Sequence, residues 1–186
     1  NLITNETSLM RFEPTEFAFL REIIIPALRE SSGQVLSMPC SHGEEPVSLA
    51  IEMVEAGLNV FTIQGYDIQP ACIDTARSGR IPLSGLPRYV LGLVDDQIMQ
   101  YLRFDVADAL RDPLGGPYDF VVCRNFLGYF TPETVKGLLD ILCASLAPSG
   151  YLLLDAFILG KHPELFAEFE LARCGEVPVF QAAPVP

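Results

Sequence analysis

Val35-Leu-Ser-Met-Pro-Cys-Ser-His-Gly-Glu-Glu-Pro-Val-Ser-Leu-Ala50 reads as an apolar strand, a turn of small residues and the opening of a helix. Val35, Leu36 and Met38 supply a buried strand, and Pro46 suits the first turn of a helix running toward Val54. Ser41 and Gly43 let the backbone come close to a ligand. A strand-turn-helix unit presents backbone N–H groups to whatever sits at the strand's carboxyl end. Any α/β protein contains such turns, so the rest of the chain has to decide what this one is for.

Working outward, apolar residues at Phe17, Leu20, Ile24, Ala27 and Leu28 predict a helix over 12–29, capped by Thr15 and kinked at Pro26. The strand over 34–38 is followed by a helix over 45–56 that Gly57 ends. Leu58 to Tyr66 is rich in β-formers and leads to Asp67, and Pro70 opens a helix that Gly79 terminates. Residues 81–92 are the least regular internal stretch. A short helix over 95–101, a short strand over 101–104 and a buried strand over 118–123 follow. Thr131 caps a helix whose apolar face is Val135, Leu138, Leu139, Leu142 and Leu146. A strand over 151–157 and a hairpin from Phe166–Ala172 into Val177–Gln181 complete the chain. Strands alternating with helices call for a mainly parallel sheet with right-handed crossovers and a ligand at its switch point.

The chain has 186 residues, enough for one domain with a full core, and nearly half of them are apolar. A formal net charge of -12 disfavours nucleic acid and anionic membrane surfaces as partners. No stretch is long and apolar enough to insert in a bilayer, and no signal peptide opens the chain. Cys40, Cys72, Cys123, Cys143 and Cys174 are odd in number and lack metal-ligand spacing. They read as free thiols of a reducing, cytoplasmic protein, and no metal is expected. A start at Asn1 without methionine suggests a domain cut from something longer.

Asp67 ends the second strand where α/β nucleotide folds set a carboxylate against ribose hydroxyls, although an Asp three residues before Pro70 also suits a helix cap. Asp108 follows the third strand, where an adenine amino group needs an acceptor and where a solvated loop Asp is equally at home.

Five separated motifs then add up: Asn5-Glu-Thr-Ser-Leu-Met-Arg11, Cys40-Ser-His-Gly-Glu-Glu-Pro-Val-Ser-Leu-Ala50, Gly65-Tyr-Asp-Ile68, Ala76-Arg-Ser-Gly79 and Cys123-Arg-Asn-Phe-Leu-Gly-Tyr-Phe130. In this order they resemble the CheR-type chemotaxis-receptor methyltransferases, which use S-adenosylmethionine to convert receptor glutamates to methyl esters. The resemblance implies a doubly wound, mostly parallel seven-stranded sheet of the Rossmann-like class I methyltransferase kind, with a C-terminal antiparallel hairpin. It implies one domain over 1–186: a lid segment and first helix over 1–33, a cofactor-binding core over 34–157, and a hairpin and tail over 158–186. S-adenosylmethionine, leaving S-adenosylhomocysteine, is the implied cofactor, and an acidic protein acceptor such as a chemoreceptor or signalling protein the implied partner. Asn5 and Thr7 then lie over the cofactor, Cys40, Ser41, Gly43 and Glu45 form its turn, and Asp67 holds the ribose. Asp108 stands near the adenine, Arg124 and Asn125 line the site, and Arg11 and Tyr129 act in catalysis. Arg11 pairs a carboxylate and Tyr129 orients one through its hydroxyl.

Duller roles exist for several of these residues. Arg124 suits a structural ion pair, Tyr129 and Phe130 suit core aromatics, and Glu44 and Glu45 suit a helix start without any ligand. His42 stands where the family usually has Thr and reads as a tolerated loop change. The chain also departs from the family in lacking the helical domain ahead of Asn5, in a shortened β insert within 80–102, and in Leu9-Met10 for a double aromatic. Gly128 replaces a usual aliphatic, and Leu154-Asp-Ala-Phe-Ile-Leu159 stands where the family tends to have a Gly-His-Ser-Glu-like stretch. These departures leave room for two alternatives: a cofactor-holding sensor or scaffold without methyl transfer, or a small-molecule O-methyltransferase.

Overall fold

In the computed structural model of the chain, residues 14–82, 91–166, 171–173 and 179–182 are described. A seven-stranded sheet runs in the order β5-β2-β1-β6-β7-β9-β8, built from β1 (Gln34–Ser37), β2 (Thr62–Asp67), β5 (Leu102–Val106), β6 (Tyr118–Cys123), β7 (Leu146–Leu154), β8 (Leu171–Arg173) and β9 (Val179–Ala182). The first five are parallel to one another, while β9 runs antiparallel to both β7 and β8. A separate two-stranded antiparallel ribbon joins β3 (Arg80–Pro82) and β4 (Leu91–Leu93). Part of the stretch expected to be irregular is therefore paired.

The helices are α1 (Pro14–Phe19) and α2 (Ile25–Arg29), joined by a π-helical turn (Leu20–Ile24), α3 (Glu44–Glu55), α4 (Pro70–Arg77), α5 (Asp96–Met99), α6 (Pro132–Ala144), α7 (Ala156–Lys161) and α8 (Pro163–Phe166). Alternation along the strands divides the core in two. Val35, Phe120, Val122 and Leu153 face one cluster with α2 and α3, whereas Leu36, Val121, Cys123, Leu152 and Leu154 face the other with α6. Central strands buried on both faces explain the continuous apolar runs.

Several sequence expectations move. Thr15 lies inside the first helix rather than capping it, and the irregularity near Pro26 is a π-helical turn, with the Ile25 N–H bonded to the Leu20 carbonyl. Proline has no N–H to continue the ladder, and the widened turn re-pairs the backbone just before it. The second strand starts at Thr62, not Leu58, leaving Val60 77% exposed. The third parallel strand starts one residue later and runs to Val106. Leu146 begins β7 opposite Tyr118 instead of extending α6, and the chain beyond Leu154 turns into α7. The expected hairpin turn at Cys174-Gly175 lies outside the described residues.

The first helix is clamped onto α3. Arg21 makes a bidentate pair with Glu52, Nε to Oε2 at 2.7 Å and Nη2 to Oε1 at 3.0 Å, and Glu52 is 2% exposed. Among the described residues no helix is long and apolar enough to cross a membrane.

Candidate active site

Strand β1 lies between β2 and β6, so the loops leaving its carboxyl end and that of β6 diverge around a crevice. The loop after β1 is held on both sides: Met38 N–H donates to the Val122 carbonyl at 2.9 Å, and Cys40 N–H to the Tyr66 carbonyl at 2.8 Å. Ser41 and Gly43 are left-handed, with φ of 51° and 95°. The role of Gly43 is tighter than ligand approach. A Cβ there would stand 3.1 Å from the Ala76 Cβ and 3.3 Å from Phe104 Cζ, so the missing side chain lets the turn seat against α4 and β5.

Asp67 sits 7% exposed at the end of β2. Its Oδ2 accepts the Ser41 N–H and its Oδ1 the Gln69 N–H, each at 2.9 Å. The second bond leads into the start of α4, so Asp67 does serve that turn. Each carboxylate oxygen has further acceptor capacity, which leaves the group able to take hydroxyls. Ile68, 60% exposed, stands beside it, and Val106 and Leu110, each 48% exposed, lie at and beyond the end of β5. These apolar side chains at the carboxyl ends of adjacent strands offer a surface for a flat base.

A cleft of about 250 Å³ unites Pro39, Cys40, Ser41, Glu44, Glu45, Arg124, Asn125 and Tyr129. Six of the expected site residues thus share one space, drawn from two loops and the start of α3. Glu44 and Glu45 are 3% and 8% exposed in the first turn of α3. The Ser37 hydroxyl donates to Glu45 Oε1 at 2.8 Å, and Arg124 Nη1 lies 3.6 Å from Glu45 Oε2. Arg124 also pairs with Glu16 on α1, Nη2 to Oε2 at 3.2 Å, with about 10% of either side chain exposed. Arg124 is therefore both a wall of the cleft and a structural strut.

Asn125 is left-handed at φ 55°, and its N–H donates to Asp155 Oδ2 at 2.6 Å. Burial raises the Asp155 pKa above the usual carboxylate value, opposed by N–H bonds from Asn125 and Phe126 and by the Arg124 charge. Tyr129 closes a 3-10 turn over Leu127–Tyr129 and is 84% exposed, so it is no core aromatic, whereas Phe130 packs edge-on against Phe126 at 4.8 Å.

Other expected residues are placed differently. Asp108 caps its own loop, accepting the Leu110 N–H at 3.0 Å with Arg111 Nε 3.4 Å away, and it is not a wall of the cleft. It stays on the same rim, because Ala107 N–H bonds the Asp67 carbonyl at 3.0 Å. His42 turns toward Ser41 Oγ at 3.1 Å and Cys72 Sγ at 3.7 Å, as suits a packed loop residue. Asn5, Thr7 and Arg11 lie outside the described residues.

Sequence reasoning missed Glu16 and Asp155. Glu16 occupies the buried stripe it shares with Leu20 and Ile24, and a carboxylate on an apolar stripe signals a buried cation. Asp155 directly follows β7, at the carboxyl end of a parallel strand as Asp67 is at that of β2.

The cleft and the rim beside it fit S-adenosylmethionine by their chemistry: on the rim, the pinned Asp67 carboxylate for hydroxyls and apolar side chains for a base, and in the cleft, the buried acids Glu44 and Glu45 for a cationic group. Solved structures share the fold. An O-methyltransferase family protein from Burkholderia thailandensis matches with a TM-score of 0.60 at 13% identity over 92% of this chain and 56% of its own. A SAM-dependent O-methyltransferase from Thermotoga maritima matches with a TM-score of 0.58 at 10% identity over 94% of this chain and 67% of its own. Among curated proteins, the probable biofilm formation methyltransferase WspC of Pseudomonas aeruginosa is 30% identical over 87% of this chain and 44% of its own. Chemotaxis protein methyltransferase 1 of Vibrio cholerae is 28% identical over 93% of this chain and 70% of its own. The chain spans less than half the length of the WspC proteins it matches. The family model for the CheR methyltransferase, SAM binding domain, matches residues 5–171, and with that match the chain belongs to the CheR methyltransferase family as its S-adenosylmethionine-binding domain.

Proposed function

We propose that this domain transfers a methyl group from S-adenosylmethionine to glutamate side chains of an acidic, chemoreceptor-like signalling protein in the cytoplasm. Residues 1–186 would act as one unit: a lid and first helix over 1–33, a cofactor core over 34–157, and a hairpin and tail over 158–186. The observation that carries the reading is the convergence of Ser41, Glu45, Arg124, Asn125 and Tyr129 on one cleft beside Asp67.

When bound, the cofactor supplies an electrophilic methyl group on a sulfonium. A glutamate is ionised at neutral pH, so the protein needs to supply no general base, only position and electrostatics. Asp67 and the Ser41 turn hold the sugar, and Glu44 and Glu45 give the cleft the negative potential that suits a cationic ligand. Arg124 keeps Glu45 in place. Tyr129, with its exposed hydroxyl, donates to the acceptor carboxylate, and Arg11 pairs with it.

The test is acid-acceptor methylation with labelled cofactor, read as a base-labile ester, beside calorimetric titration with S-adenosylmethionine and S-adenosylhomocysteine. Tyr129→Phe is expected to cut ester formation by about 10²-fold while cofactor affinity stays within about twofold. Cofactor binding with no ester on any glutamate acceptor sinks the methyl-transfer reading, and loss of both cofactor affinities sinks the site.

A further inference from the structure

Next to the cofactor cleft lies a second one of about 300 Å³, walled by Asn125, Phe126, Gly128, Tyr129, Asp155 and Phe157. The two share Asn125 and Tyr129, so whatever sits in the second is adjacent to the expected reacting centre. Its character is unlike the first. Two aromatic rings are open to solvent, Tyr129 at 84% and Phe157 at 66%, and a carboxylate, Asp155, joins them.

Gly128 keeps the space open. A Cβ at 128 would rest 3.5 Å from the Phe157 ring, an ordinary contact, so an aliphatic side chain there would cover that face without strain. Asp155 is oriented by the Asn125 N–H at 2.6 Å. Among the described residues around both clefts, the cations are Arg124, already shared by Glu16 and Glu45, and Lys161 beside Phe157, against the carboxyl groups of Glu16, Glu44, Glu45 and Asp155. A bare glutamate entering this space would be repelled by Asp155. A cation would be attracted, both by the carboxylate and by the faces of the rings. Phe157 already draws one: the Lys161 Nζ lies 5.8 Å from its ring centroid.

We propose that this second cleft is a specificity subsite for a lysine or arginine side chain of the acceptor polypeptide, close to the methylated glutamate. The inference rests on the methyl-transfer reading for its biological meaning, but its physical content, cation recognition by Asp155 and Phe157, stands on binding alone. An acceptor chosen this way carries its own counter-charge to the site, which offsets the acidity of the domain.

The test uses the full-length protein with S-adenosylhomocysteine present, titrated with fluorescent peptides holding one central glutamate. Each neighbouring position carries lysine or its uncharged isostere norleucine in turn. At one or more positions the lysine peptide is expected to bind roughly five- to tenfold tighter, a preference falling to within about twofold in Asp155→Asn and kept in Asp155→Glu. Gly128→Leu, which leaves Asp155 and its hydrogen bonds in place, should remove the preference by filling the cleft. An undiminished lysine preference in Asp155→Asn, or no preference at any position in the native protein, overturns the subsite. Ester formation is followed on the same peptides in a parallel reaction with S-adenosylmethionine in place of S-adenosylhomocysteine. Lysine-dependent binding without esterification keeps the subsite and defeats methyl transfer to glutamate, and esterification without lysine preference does the reverse.

Discussion

The Asp67 carboxylate, closing β2, accepts the backbone N–H of Ser41 from the loop after β1 at 2.9 Å. One side chain thereby sets the distance between the two halves of the cofactor site. Asp67→Ala leaves the Ser41 and Gln69 N–H groups without this acceptor, at about 0.5–1.5 kcal/mol for each of these part-buried hydrogen bonds. The expected outcome is at least a tenfold loss of S-adenosylmethionine affinity by calorimetry, together with faster amide exchange at Ser41. Lost affinity with unchanged exchange would show that Asp67 binds ligand without shaping the loop.

The parallel core was legible because its strands are buried on both faces. Runs such as Tyr118–Cys123 cannot belong anywhere else, and Pro132 and Gly57 mark helix ends through backbone chemistry alone. Edges were less legible. Leu58 to Phe61 has β-forming residues without strand partners, and Leu146 is apolar enough for α6 yet pairs with Tyr118. The site followed the same division. Ser41 and Asp67, named by local turn chemistry, meet through one hydrogen bond between neighbouring loops, whereas Glu16 and Asp155 are tied to the site through contacts across 108 and 30 positions, to Arg124 and Asn125.

The Glu16–Arg124–Glu45 arrangement makes the first helix part of the site. Arg124→Met leaves two buried carboxylates without their cation, so a loss of about 3 kcal/mol is expected in urea unfolding. Glu16→Gln should cost less, because Arg124 keeps Glu45. Because both act through one guanidinium, the double variant should be non-additive by about 0.5–3 kcal/mol. Strict additivity would mean the pair does not couple helix to cleft.

Gly65 supports the floor of the site by having no side chain. A Cβ there would lie 2.7 Å and 2.9 Å from Phe104 ring atoms and 3.0 Å from the Cys40 sulfur. Gly65→Ala must push Phe104 or the Cys40 loop, at about 1–3 kcal/mol in stability. A parallel fall in cofactor affinity is expected, since Cys40 lines the cleft. Thermal unfolding and calorimetry on the same sample check both.

The described cysteines should be slow to alkylate. Burial is the main cause raising the thiol pKa values of Cys40, Cys72 and Cys123, and it lifts Cys143 to about 11. A raised folded-state value means that Cys143 contributes stability below the ordinary thiol range, which is lost as pH rises through about 11. Iodoacetamide at pH ~8 is expected to modify Cys40, Cys72 and Cys123 only as fast as the protein opens, so mild urea should accelerate their labelling, while the partly exposed Cys143 is slowed by its raised pKa.

Asp155 gives a handle of the same sign at acid pH. Its folded-state pKa is raised, chiefly by burial, above the ordinary carboxylate value of 3.8. Such a group favours the folded state while it is protonated, and that contribution is lost as pH rises through the elevated value. Asp155→Asn keeps an oxygen that can accept the Asn125 N–H and removes the charge. Its stability relative to the native protein should therefore be near zero below the ordinary carboxylate range and grow in the variant's favour toward neutrality, measured by denaturant unfolding at a series of pH values. A variant that becomes relatively less stable as pH rises would mean that the Asn125, Phe126 and Arg124 interactions outweigh burial. A carboxylate retained against stability is what a cation-binding cleft requires, because the ligand's charge offsets the cost when it arrives. The lysine-bearing peptide should accordingly stabilise the native protein at neutral pH and have little effect on Asp155→Asn.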